Sequence, residues 1–103
     1  MIATKKQIII SLGLGLTMVA AQAFAYTGQD LAGKAKINLK AARALALKAQ
    51  PGKITSEELE QEKGGSGLRY SFDIRHDKST REVGVDAKSG KILENSPEGP
   101  DAD

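Results

Sequence analysis

The chain has 103 residues, no cysteine and no tryptophan, and 15 basic against 13 acidic side chains. Lys5 and Lys6 account for the whole positive surplus, so the rest is formally neutral and lacks the basic footprint that nucleic-acid binding sets against phosphate charge. Without cysteine there is neither a disulfide framework nor a lipid-attachment residue after a leader. A domain of roughly 60 ordered residues then depends on a core that rarely supplies more than ~3–5 kcal/mol, and marginal stability or stabilisation by a partner is the expectation.

The first 25 residues carry the three parts of an export signal in order. Lys5 and Lys6 form a cationic start, Ile8 to Ala20 an uncharged apolar run, and Ala21-Gln22-Ala23-Phe24-Ala25 a stretch with small side chains at alternate positions. Signal peptidase admits only small side chains at −3 and −1, so Ala23 and Ala25 are its predicted recognition residues, with Tyr26 as the new N-terminus. Cleavage after Ala23 would use Ala21 and Ala23 instead. A membrane-spanning helix wants about 20 apolar residues; this run is shorter and contains glycine. The expectation is an exported, periplasmic protein with no stable membrane anchor after cleavage.

Tyr26 to Lys36 contains Gly28, Gly33 and little periodicity, and reads as a flexible leader. Asn38 stands where a helix N-cap would, able to accept from the free amides of a first turn. Leu39 to Ala49 is rich in strong helix formers. At about 100° per residue, Leu39, Ala42, Leu45, Ala46 and Ala49 share one arc. Lys40, Arg43 and Lys48 lie opposite, with Leu47 among them, and Pro51-Gly52 ends the helix.

Beyond Gly52 the period changes. Leu68, Tyr70, Phe72 and Ile74 alternate with Arg69, Ser71, Asp73 and Arg75, and Val83, Val85 and Ala87 with Glu82, Gly84 and Asp86. Each pattern predicts a strand with one buried face. Lys91-Ile92-Leu93 reads as a short continuation after the Asp86–Gly90 turn. Ile54 to Lys63 is ambiguous: its glutamates favour a helix by propensity, yet its apolar residues are too few for a packed one. As a strand it needs a bulge or an edge position, because Ile54 and Leu59 have opposite parity. Asn95 to Asp103 reads as a disordered acidic tail. The predicted fold class is α+β, one amphipathic helix packed on a three-stranded antiparallel sheet in the order α-β-β-β.

These segments resemble a PepSY domain over about residues 35 to 94. The resemblance is carried by Ile37-Asn38-Leu39-Lys40-Ala41-Ala42, by Ala46-Leu47-Lys48-Ala49-Gln50-Pro51-Gly52-Lys53-Ile54, by the glutamate-rich stretch Glu57 to Glu62, and by Tyr70-Ser71-Phe72-Asp73-Ile74. Its most specific piece is Val83-Gly84-Val85-Asp86-Ala87-Lys88-Ser89-Gly90-Lys91-Ile92-Leu93. The resemblance implies a helix on a small antiparallel sheet in an exported or envelope protein. It also implies a role near peptidases, since such domains occur in the propeptides of thermolysin-like metallopeptidases, where they assist folding and inhibit the enzyme. It brings no catalytic residues. Gly84 departs from the pattern, standing where a strand side chain would pack, and predicts either a weakened sheet or the close approach of a neighbour.

Other constellations carry little chemistry. His76 is the lone histidine, so a zinc site would need carboxylates for nearly every ligand. His76, Asp77 and Ser79 are neighbours on one turn, whereas a hydrolytic triad converges from separate places. Gly64-Gly65-Ser66-Gly67 lacks the lysine and following helix of a phosphate loop and reads as a hairpin connection. Charge is segregated: Lys34 to Lys53 holds only bases, and Glu57 to Glu62 only acids. Lys40, Arg43, Leu47 and Lys48 are therefore the candidate partner-binding residues. That face is either simply solvated or docks on an acidic partner or anionic membrane surface.

The functional expectation is a non-enzymatic exported module, without metal or cofactor, that binds another protein and restrains a peptidase in the periplasm or cell envelope. The sheet edge and the basic helix face would make the contact. The alternative is a small-ligand or ion-sensing module built on Asp73, Asp77 and Asp86, since calcium prefers oxygen ligands.

Overall fold

The computed structural model of the chain describes residues 25–98; the predicted export signal, apart from Ala25, and the last five residues of the predicted tail lie outside them. Asn38 caps the helix α1, Leu39–Ala49, with its side-chain oxygen accepting from the Ala41 amide at 2.8 Å. Gln50 closes the helix through its amide to the Ala46 carbonyl, and Pro51-Gly52 turns the chain into the sheet. α1 buries Ala42 and Ala46 completely. These small side chains let the helix lie close to the sheet, while Leu39, Leu45 and Leu47 fill its flanks.

The sheet is antiparallel and has four strands: β1, Lys53–Gln61; β2, Leu68–His76; β3, Ser79–Asp86; and β4, Ile92–Pro97, in that spatial order. The expected sheet had three. The additional strand is the segment read as a short continuation plus the start of a tail, for Asn95, Ser96 and Pro97 pair with Val83, Glu82 and Arg81. Its polar composition hid it because only one neighbour and one face hold it. Arg81 also clamps Asn95, donating from Nε to Oδ1 at 3.0 Å and from Nη2 to the backbone carbonyl at 2.8 Å.

Ile54 to Gln61 is strand, at the sheet edge and with an irregular register between Ile54 and Ser56. The extra residue restores parity, so Ile54 and Leu59 both face the core. The alternating segments behave as read. Leu68, Tyr70, Phe72, Ile74, Val83 and Val85 form the buried inner face, with Tyr70 and Phe72 stacked at 6.4 Å between ring centroids. The Tyr70 hydroxyl donates to the Ile37 carbonyl at 2.8 Å, tying the helix entry to the centre of the sheet.

The segment expected as a flexible leader is structured. Gln29–Lys34 forms a 3₁₀ turn, and Tyr26, Leu31 and Ala35 pack on the core. Thr27 makes a parallel bridge with Glu58, its carbonyl accepting from the Leu59 amide at 2.8 Å. Gly28 permits this approach: its φ is 86°, and a Cβ there would fall on the Leu59 carbonyl oxygen. The lack of periodicity reflects a strap held by backbone contacts at a sheet edge.

Candidate functional site

The helix covers one face of the sheet, and the other face is open among the described residues, apart from the β1–β2 loop at one end. Cross-strand register sets its composition. One row runs Glu58, Ser71, Gly84, Glu94, and the next Ser56, Asp73, Glu82, Ser96. The polar halves of four alternating patterns thus assemble an acidic stretch, bounded by Arg69 at one end and by the Lys53–Arg75 pair at the other. Ser71 donates to Glu60 at 2.7 Å, Ser56 to Asp73 at 2.9 Å and Ser96 to Glu94 at 2.9 Å, but these hydroxyls neutralise no charge. Burial, then repulsion from Glu60, Asp73 and Glu62, raises the pKa of Glu58; burial, then Glu94, Asp73, Glu60 and Glu98, raises that of Glu82.

At one end of this face Arg69 is only 7% exposed. It lies across Gly84, where a Cβ would come within 3.0 Å of Arg69 Nη1 and 3.4 Å of its Cδ. Nη1 donates to Glu94 at 3.2 Å and Nη2 to the Lys63 carbonyl at 3.0 Å. Gly84 therefore admits a neighbour, and of the two sequence expectations the close approach is the one realised.

The Asp86–Gly90 turn is a structural clasp. Asp86, 2% exposed, accepts from the Ser66 amide at 2.7 Å and hydroxyl at 2.8 Å, and from the amides of Lys88 at 2.8 Å and Ser89 at 3.1 Å. Burial opposes its charge, but these four bonds outweigh burial and lower its pKa to about 2. The Ser66 partnership joins two loops twenty residues apart. Sequence spacing held no signal for it, although the Asp-Ala-Lys-Ser-Gly run marked the turn itself.

Of the predicted contact residues, Lys40 and Lys48 are exposed, whereas Leu47 is half-buried against the core and not exposed among the cations. Arg43 is engaged: Nε donates to Glu57 Oε1 at 2.8 Å and Nη2 to Oε2 at 2.6 Å. This bidentate pair joins α1 to the edge strand. Beside it a groove of about 310 Å³ opens between helix and edge, lined by Arg43, Ile54, Thr55, Ser56 and Glu57. Leu59 offers its amide outward to Thr27. The two-residue alternation of an antiparallel strand then turns the Glu57 amide to the same open side.

Among the described residues His76, Asp77 and Ser79 do not form a triad. The Ser79 hydroxyl donates to the His76 backbone carbonyl at 3.2 Å, away from the ring, and both side chains are exposed. Asp73 lies on the open face, Asp77 on a hairpin turn, and Asp86 in its clasp, so the three aspartates do not converge. Among the described residues no group of three or more His, Cys, Asp or Glu is placed to hold a metal ion, and no helix is long and apolar enough to cross a membrane.

A helix on one face of a four-stranded antiparallel sheet defines a small α+β domain. The family model described as the peptidase propeptide and YPEB domain, PepSY, matches residues 36–95, and the chain belongs to that family. No curated protein and no solved structure matches it.

Proposed function

We propose that the chain is an exported, non-enzymatic PepSY module that binds another protein and restrains a peptidase of the periplasm or cell envelope. Family membership supports the connection with peptidases. The observation that carries the reading is the stretch of the β1 edge beside the Arg43 groove, which among the described residues is bridged only at Glu58, by Thr27. An extended segment of a partner pairs there through backbone hydrogen bonds, the mode of strand addition at an exposed sheet edge. Lys40 and Lys48 are exposed on the same helix, and the open sheet face favours partners that present cations to it.

The test is an inhibition and binding assay of the processed domain against purified envelope metallopeptidases. Dose-dependent loss of peptidase activity, weakened by Glu57→Pro at the edge, is the expected outcome; Glu57→Pro must first be shown to fold by circular dichroism. A domain that neither binds nor inhibits any of them ends the reading. The ion-sensing alternative gains no support from the dispersed aspartates, and calorimetry with millimolar calcium gives it a direct check.

A further inference from the structure

The sheet has two edges, β1 and β4, and their backbones offer different things to an incoming strand. The Glu98 amide donates to the Thr80 carbonyl at 2.9 Å, so Thr80 and Glu98 form a hydrogen-bonded position of the β3–β4 ladder. In an antiparallel pair such positions alternate with unbonded ones. Glu82–Ser96 is then a bonded pair, whereas Arg81–Pro97 and Val83–Asn95 are unbonded. Asn95 and Pro97 are therefore residues of β4 whose backbone groups point out of the sheet. A new antiparallel neighbour needs both an N–H and a C=O from each residue that it pairs with. Pro97 has no N–H to give. The Asn95 carbonyl already accepts from Arg81 Nη2 at 2.8 Å, while Arg81 Nε holds the Asn95 side chain at 3.0 Å. Because that carbonyl points away from β3, the guanidinium reaching it stands outside the edge, in the path of an incoming strand. β1 differs at the corresponding places. Its nine residues include no proline, and Glu57, two positions before the outward Leu59 amide, turns its own amide and carbonyl to the open side.

We propose that Arg81, Asn95 and Pro97 seal the β4 edge against strand addition, so that the domain takes an extended partner on β1 alone and its copies do not pair through β4. The β1 half rests on the strand-addition reading given above and deepens it, fixing one edge and one segment for each domain. The β4 half stands on the geometry of the seal. The occupant that the seal excludes is a second copy of this chain. An exposed edge strand is a template for pairing with another chain. Two β4 strands related by a two-fold axis run antiparallel and offer each other the same residues, so an unsealed edge would join two sheets into one.

The experiment compares the processed chain with Pro97→Thr and with the double variant Arg81→Thr, Pro97→Thr. Threonine at 97 restores the missing N–H, and threonine at 81 is too short to reach Asn95; both suit a strand. Sedimentation equilibrium over a concentration series reads self-association. Amide exchange followed by NMR reads its location, at Asn95 for β4 and Glu57 for β1, with β2 amides as the control for intact folding. The parent is expected to show no association through β4. Pro97→Thr is expected to self-associate measurably, and the double variant about tenfold more tightly, because each freed position occurs twice in a two-fold dimer. In both variants exchange at Asn95 should slow as concentration rises, while Glu57 stays unchanged. Asn95 protection that grows with concentration in the parent overturns the proposal. So do folded variants that remain monomeric, or variants whose association protects Glu57 and leaves Asn95 exchanging freely. Pro97 is exposed, so the single variant decides the outcome where the double variant fails to fold. No peptidase enters the measurement: a failed seal leaves the peptidase reading standing, and a domain that inhibits no peptidase leaves the seal standing.

Discussion

Asp86 shows how a single buried charge stabilises this domain. Its carboxylate is buried at the meeting of the β1–β2 loop and the β3–β4 turn, and it is tolerable there because four donors converge on it. The pKa is depressed, so the stabilisation is present above the free carboxylate value of 3.8 and is lost as pH falls towards about 2. That interval corresponds to about 2 kcal/mol. Asp86→Ala is expected to lose about 3 kcal/mol in urea unfolding at neutral pH, because buried donors are left unpaired. It should also flatten the stability profile between pH 4 and 2. Gly84 works at the same scale by absence of a side chain. Gly84→Val is expected to displace Arg69 from its slot and cost about 1–3 kcal/mol, seen as a lower urea midpoint with the denaturant slope unchanged.

At the scale of elements, α1 was readable because capping, composition and period agree over eleven residues. β1 is the opposite case: its glutamates argue for helix and its two apolar residues disagree in parity. Tertiary context decides it, since an edge strand with one extra residue turns both Ile54 and Leu59 inward. The same strand supplies part of the acidic face, which opposes folding at neutral pH. Glu58 and Glu82 have raised pKa values, so their charged forms are the destabilising ones. Stability is gained as pH falls through the raised values and is complete below the free value of 4.5. Glu82→Gln is expected to raise the melting temperature at pH 7, and added salt should raise that of the parent more than that of the variant. Differential scanning fluorimetry in a salt series reads both effects.

For the whole molecule, the two pH effects oppose each other: discharge of the acidic face adds stability as pH falls towards 4.5, and protonation of Asp86 removes it below 3.8. The molecule is also bipolar, with Lys40 and Lys48 exposed on the helix side and Glu58, Asp73, Glu82 and Glu94 on the sheet side. β4 completes the assembly through its pairing and the Arg81–Asn95 clamp. A chain ending at Glu94 is therefore expected to lose cooperative unfolding at 37 °C, because a domain this small has little stability to spare. Circular dichroism during heating checks this.

Local chemistry decided much of this protein. The cap at Asn38, the alanine-rich helix, the two alternating strands, the Asp86–Gly90 turn and the family that these motifs mark can all be read from the amino acids, because each depends on residues close together in the chain. Four features belong to the tertiary structure alone: the fourth strand, the ordered strap at Thr27, the acidic sheet face and the groove beside Arg43. Each is made by residues that meet only through long-range pairing. A polar segment such as Asn95–Pro97 declares itself a strand only when Val83, Glu82 and Arg81 stand beside it, and a glycine such as Gly84 shows its purpose only when an arginine lies across it.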